Sequence, residues 1–208
     1  GNRMSENTSP LVSLDVYERH AVHIGTNQKS ADMKQFLDTM QHDSSGLHII
    51  DVNQTDSRIR VVANFLSNFE AKRVLVVSAR QYGQRPARKF AQSIGAKHIV
   101  GRFIPGTLTN PRLRTFMEPE VILVTDPAAD SQALSEAVKS GLPVVAICDA
   151  NNRLRNVDLA LPANNKGRRS LALVYWLLSR EILKSRGTVK NDMEWELAED
   201  VADWESTF

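Results

Sequence analysis

The sequence predicts an α/β fold with three layers, α/β/α, built around a doubly wound parallel sheet, with an N-terminal β-hairpin attached. Short apolar, β-branched runs recur at 73–78 (RVLVVS), 98–100, 121–125 (VILVT), 143–148 (PVVAIC) and 158–161. Runs that do not alternate with polar residues suit strands covered on both faces. Helical patterns lie between them, and strands alternating with helices imply right-handed crossovers.

Residues 1–10 are expected to be a flexible N-terminus, and 34–51 a hairpin turning at Asp43-Ser44-Ser45-Gly46. A helix over 57–68 carries Ile59, Val62, Ala63 and Leu66 on one face. A second runs over 86–94, with Pro86 at its first position and Gly95 as its stop. Residues 131–139 and 168–186 form two more, ended by Gly141 and Gly187. The strands should lie in the spatial order 98, 73, 121, 143, 158, the flavodoxin-like 2-1-3-4-5 arrangement. Residues 11–190 are expected to be one domain, followed by an acidic, aromatic tail at 191–208.

Of the 208 residues, 42% are hydrophobic, enough for a sizeable core and against wholesale disorder. No apolar run approaches the roughly 20 residues of a membrane span, and no apolar segment of a leader follows the N-terminus. The lone Cys148 excludes an intramolecular disulfide and a cysteine-cluster metal site, and reads as core. A cytoplasmic location without membrane contact is the expectation.

The net charge of +2 hides an uneven distribution. Residues 71–117 hold ten basic and no acidic side chains, and 191–208 hold seven acidic and no basic ones. Such blocks suggest a chain that meets a polyanion over part of its surface. Arg80, Arg85, Arg88 and Lys89 crowd the helix start after the first core strand, and Lys166, Arg168 and Arg169 crowd the one after the last. Cations at a helix N-terminus oppose the macrodipole, which makes sense if an anion occupies the end; the alternative is side chains pointing into solvent. Residues 99–119, with three prolines, cannot be a crossover helix and form a long structured loop carrying Arg102, Arg112 and Arg114. Its Thr107–Asn110 run offers donors to phosphate or sugar, or caps local turns.

Asp51, Asp126 and Asp149 lie near strand ends, where a metal-dependent phosphoryl-transfer enzyme places carboxylates. A nucleotide- or sugar-phosphate-using enzyme is therefore the alternative function. Against it, Asp56 and Asp130 suit N-caps, no phosphate-loop, nucleophile-elbow or zinc motif occurs, and His20-x-x-His23 lacks a third ligand. No catalytic residue, metal, cofactor or obligate small-molecule ligand is assigned. Trp195, Trp204 and Phe208 in the tail dock back on the domain or on a protein partner, and the tail itself is expected on a face away from RNA.

Several segments together resemble one family. They are 17–27 (YERHAVHIGTN), 47–55 (LHIIDVNQT), 78–90 (SARQYGQRPARKF), 101–110 (GRFIPGTLTN), the Val-Thr-Asp-Pro stretch within 119–143, 164–167 and 180–188 (REILKSRGT). They resemble the universal small-subunit ribosomal protein S-two family, whose eukaryotic branch is ribosomal protein SA, the laminin-receptor precursor. Only 111–118 separate the 101–110 motif from Pro119, so the helical hairpin of bacterial members is missing and the type is archaeal or eukaryotic. No counterpart of the animal members' long, repetitive acidic extension is expected. The resemblance implies a non-catalytic structural protein of the small ribosomal subunit. Its partners would be small-subunit ribosomal RNA and neighbouring ribosomal proteins. The RNA-binding candidates are Arg80, Arg85, Arg88, Lys89, Arg102, Arg112, Arg114, Lys166, Arg168 and Arg169. Tyr82 could stack on a base.

Overall fold

A computed structural model describes residues 9–42 and 45–207. The expected hairpin turn residues Asp43 and Ser44, and Phe208, lie outside the described residues. In chain order the elements are α1 (Leu14–Arg19), β1 (Leu37–His42), β2 (His48–Ile50), α2 (Val52–Leu66), β3 (Val74–Ser78), α3 (Gln81–Ile94), β4 (Lys97–Val100), β5 (Val121–Val124), α4 (Ser131–Lys139), β6 (Val144–Cys148), β7 (Leu159–Pro162), α5 (Arg168–Ser185) and α6 (Asp192–Ala198). Strands β1 and β2 pair antiparallel as the hairpin. The other five form a parallel sheet in the order β4-β3-β5-β6-β7, which is the order the sequence predicts.

Side chains alternate across this sheet. Val74, Val76, Val121, Leu123, Val145 and Ile147 face a core shared with α2, α3 and α5. Leu75, Val77, Ile122, Val124, Val144 and Ala146 face a second core, shared with α4 and the 101–120 loop. The loop thus takes the place of a crossover helix. Phe103 and Leu108 fill this layer, and Glu136 of α4, 2% exposed, holds the loop in place. Its carboxylate accepts from the backbone amides of Gly106 at 2.9 Å and Leu108 at 3.1 Å and from the Gln132 amide at 2.8 Å. Thr107 donates to the Ile104 carbonyl, and Asn110 accepts from the Arg112 amide. Of the two roles open to the Thr107–Asn110 run, local structure is the one observed.

Burial alone would raise the Glu136 carboxyl, but the donors from Gln132, Gly106, Leu108 and Thr109 outweigh it and hold the group below its ordinary value of 4.5. The folded value lies below the unfolded one, so this contribution is complete above pH 4.5 and is lost as pH falls through the folded value. Glu136→Ala strands two backbone donors and is expected to cost about 3 kcal/mol, read as a fall in the urea midpoint. The gap between parent and variant should shrink on acidification.

Two helices begin earlier than their periodicity suggests. Asp51 caps α2 by accepting from the Asn53 amide at 3.0 Å. Asp56 therefore sits inside that helix rather than at its cap, accepting from the Leu11 amide and the Tyr17 hydroxyl. Helix α3 starts at Gln81, so Pro86 lies in its interior rather than at its first position. Proline there removes the donor to the carbonyl four residues back, that of Tyr82. The Ser206 hydroxyl lies 3.1 Å from that oxygen and 3.2 Å from the Gln81 carbonyl, and its one proton is shared between the two. The first turn of α3 presses so closely on the sheet that a Cβ at Gly83 would strike Ser78 Oγ and come within 2.8 Å of Thr125 Cγ2. Gly95 ends the helix at φ 81°, a left-handed conformation that favours glycine. No helix among the described residues is long and apolar enough to cross a membrane.

Candidate nucleic-acid interface

In a doubly wound sheet, ligands meet the loops at the carboxyl ends of the strands. Here that edge is filled by the chain's own polar side chains. Arg80 Nε donates to Asp126 Oδ2 at 2.5 Å, and Asp126 Oδ1 accepts from Asn152 Nδ2 at 3.1 Å. Asn152 Oδ1 accepts from Asn165 Nδ2 at 2.9 Å, and Lys166 Nζ donates to Asp149 Oδ2 at 3.1 Å. Asp126, Asp149, Asn152 and Asn165 are all buried. Burial pushes the Asp149 carboxyl above its ordinary value even though Lys166 pulls it down.

Asp130 precedes α4, but its carboxylate turns back to the sheet instead of capping that helix. It accepts from the Ala79, Thr125 and Asp126 amides, and burial pushes it up to about 7. Thus Asp126 and Asp149 are committed to internal donors, and Asp51 is a helix cap. Cys148 is buried, and burial with the nearby Asp126 and Asp149 raises its thiol far above the ordinary range. Among the described residues, no three His, Cys, Asp or Glu side chains come together to hold a metal ion.

The basic residues singled out by sequence fall into three groups. Arg80 and Lys166 belong to the network above, with about a third of each side chain exposed (34% and 33%). Arg85, Lys89 and Arg168 contact the acidic tail: Arg85 and Lys89 are half-buried, and Arg168 keeps 47% of its side chain exposed. Arg85 Nε donates to the Asp203 carbonyl at 2.6 Å, Lys89 Nζ lies over the Trp204 ring at 5.8 Å, and Arg168 pairs with Glu205 at 3.8 Å. The remaining five are open: Arg102, Arg112, Arg114 and Arg169 are exposed and Arg88 is half-buried. Among the described residues their guanidinium groups meet no carboxylate. Partial burial, then the charge of Arg88, holds the His98 imidazole below its ordinary value. Tyr82 is 41% exposed, so its ring is accessible.

The tail packs across α3 and α5, beside the basic helix starts. Trp204 is 1% exposed and Trp195 4%. Trp195 packs between Trp176 of α5, tilted against it, and Trp204, edge to face, at centroid distances of 6.1 and 5.8 Å. Trp176 Nε1 donates to the Glu199 carbonyl, and Trp204 Nε1 to the Glu199 carboxylate. Of the two dockings considered for these indoles, the one on their own chain is observed.

Two cations were missed. Arg153 and Arg155, both exposed, line a cleft of about 450 Å³ with Pro127, Leu134 and Asn152, between the loops that follow β5 and β6. The signal was present in the run Asn151-Asn152-Arg153-Leu154-Arg155-Asn156, a polar basic loop after a core strand.

A family model described as ribosomal protein S2 matches this chain over residues 19–118 and 113–185. The small ribosomal subunit protein uS2 of Methanoregula boonei is 54% identical over 178 residues, covering 86% of this chain and 87% of that protein. These matches lead to one conclusion: the chain belongs to the ribosomal protein S2 family, of the archaeal type, a family of structural, non-enzymatic proteins.

Proposed function

We propose that the protein binds small-subunit ribosomal RNA through phosphate contacts, sits beside neighbouring ribosomal proteins on cytoplasmic ribosomes, and supports subunit assembly and translation. The observation that carries this is the set of open arginines: Arg88, Arg102, Arg112, Arg114 and Arg169, joined by Arg153 and Arg155. A guanidinium grips phosphate with two donors in fixed geometry, so unpaired arginines suit a polyanion better than a protein carboxylate surface of scattered charges. Such contacts fix position and orientation, while the shape of the RNA sets the site. Arg80 adds its remaining donors, held in place by Asp126, whereas the Lys166 ammonium already donates to Asp149, Asn151 and Asn165 and contributes its charge alone. Exposed Tyr82 stacks on an unpaired base.

Each neutralised phosphate releases counterions and adds about 0.7–0.9 to the slope of log K against log salt. Binding of the chain to a small-subunit ribosomal RNA fragment is therefore expected to weaken with salt with a slope of about 3 or more, measured by filter binding. A slope near zero would refute phosphate-led binding.

A further inference from the structure

The tail presents to α3 and α5 what a nucleic acid presents to a basic surface: anionic or carbonyl oxygens next to an aromatic plane. The Asp203 carbonyl takes the donor of Arg85, the Glu205 carboxylate faces Arg168, and the Trp204 ring covers the Lys89 ammonium. The seat is specific rather than a loose attraction of opposite charges. Ser206, 1% exposed, sets its hydroxyl against the Gln81 carbonyl and the Tyr82 carbonyl, from which Pro86 removes the helical donor. Trp204 is locked into the indole cluster by its ring contact and by Glu199.

We infer that the segment 199–207 is a built-in nucleic-acid mimic, seated on Arg85, Lys89 and Arg168, that occupies and neutralises these three cations, partly covering them, and directs RNA to the open arginines. The inference rests on the RNA-binding reading above and adds to it a division of the cations. The occupied ones serve the fold and stay out of the interface. Uniform exposure of every cation would favour any polyanion, because phosphate contacts carry no sequence information. Neutralising part of the surface lowers that indiscriminate affinity while leaving the open contacts intact.

The test compares three proteins: the full chain, the chain truncated after Ala198, and a full-length Trp204→Ala/Ser206→Ala variant that keeps every charge. Each is made with and without Arg85→Gln/Arg168→Gln. Binding to polyuridylic acid and to a small-subunit ribosomal RNA fragment is measured across a salt series, with circular dichroism to establish folding. Truncation is expected to tighten polyuridylic acid binding about tenfold at low salt and to steepen the slope by about 2, since three cations become available. Arg85→Gln/Arg168→Gln should leave the full chain unchanged and erase most of the gain in the truncated one. Should the truncated chain fail to fold, the Trp204→Ala/Ser206→Ala protein decides by the same comparison. Equal weakening of the full and opened chains by the Arg→Gln pair, or a gain that survives it, would overturn the inference. Loss of salt-dependent binding in every variant, the unaltered chain included, would instead remove the RNA-binding reading, and the inference with it.

Discussion

Arg180→Ala is expected to destabilise the protein by about 3 kcal/mol, mainly through the cavity and the lost hydrogen bonds of a buried side chain, because the carboxylates left behind are partly solvated. The Arg180 side chain is fully buried. Its Nη2 donates to the Leu11 carbonyl at 2.8 Å, and its Nε pairs with Glu181 at 3.0 Å and with Asp192 of α6 at 3.3 Å. Its guanidinium also lies over the Trp176 ring, 5.8 Å from the centroid. One side chain thus ties the N-terminal segment, α5 and the start of α6. Truncation would leave a cavity, an unpaired carbonyl and two carboxylates relying on Lys184, which already contacts both. Total stabilities of about 5–15 kcal/mol make this a large fraction. Arg180→Met fills the space and is expected to cost less. Urea unfolding followed by tryptophan fluorescence reads both effects, because Trp176 lies under the lost guanidinium and against Trp195. A cost below about 1 kcal/mol for the alanine variant would show that desolvation of the buried arginine cancels its contacts.

The second large effect is on binding. Reversing Arg102, Arg112 and Arg114 together to glutamate is expected to weaken binding to small-subunit ribosomal RNA by about 100-fold or more at moderate salt and to flatten the salt slope by about 2–3. These side chains are exposed and meet no carboxylate within the described chain, so the substitutions should leave the urea midpoint almost unchanged. Unaltered affinity in a folded triple variant would move the interface elsewhere.

The sheet was legible because its signal is local and strong: five apolar runs with helices or a proline-rich loop between them admit few topologies. Helix starts were less so. Asp51 lies outside the apolar periodicity of α2, and Pro86 looks like a first-turn residue until its tertiary partner is known. Ser206 lies 120 positions from Pro86 in the chain, and nothing in the local sequence announces that its hydroxyl meets the carbonyl the proline strands. The same limit hid the tail's position. Its seven acidic residues argue for separation from a polyanion but do not say that the tail packs beside the basic helix starts. Charge counting identified the cations; only the fold divides those spent on Asp126 and Asp149, those against the tail and those left open. Glu136 was similarly unreadable, since its role depends on a loop that replaces a helix layer.

Sedimentation shows whether phosphate contacts hold this protein to the small subunit. Lysate from cells expressing the chain is separated on sucrose gradients in magnesium-containing buffer at low and at high salt, and the protein is located across the fractions. Migration with the small subunit at low salt and release at high salt is the expected result. Absence from every ribosomal particle at low salt, or retention that no salt concentration disturbs, would contradict it.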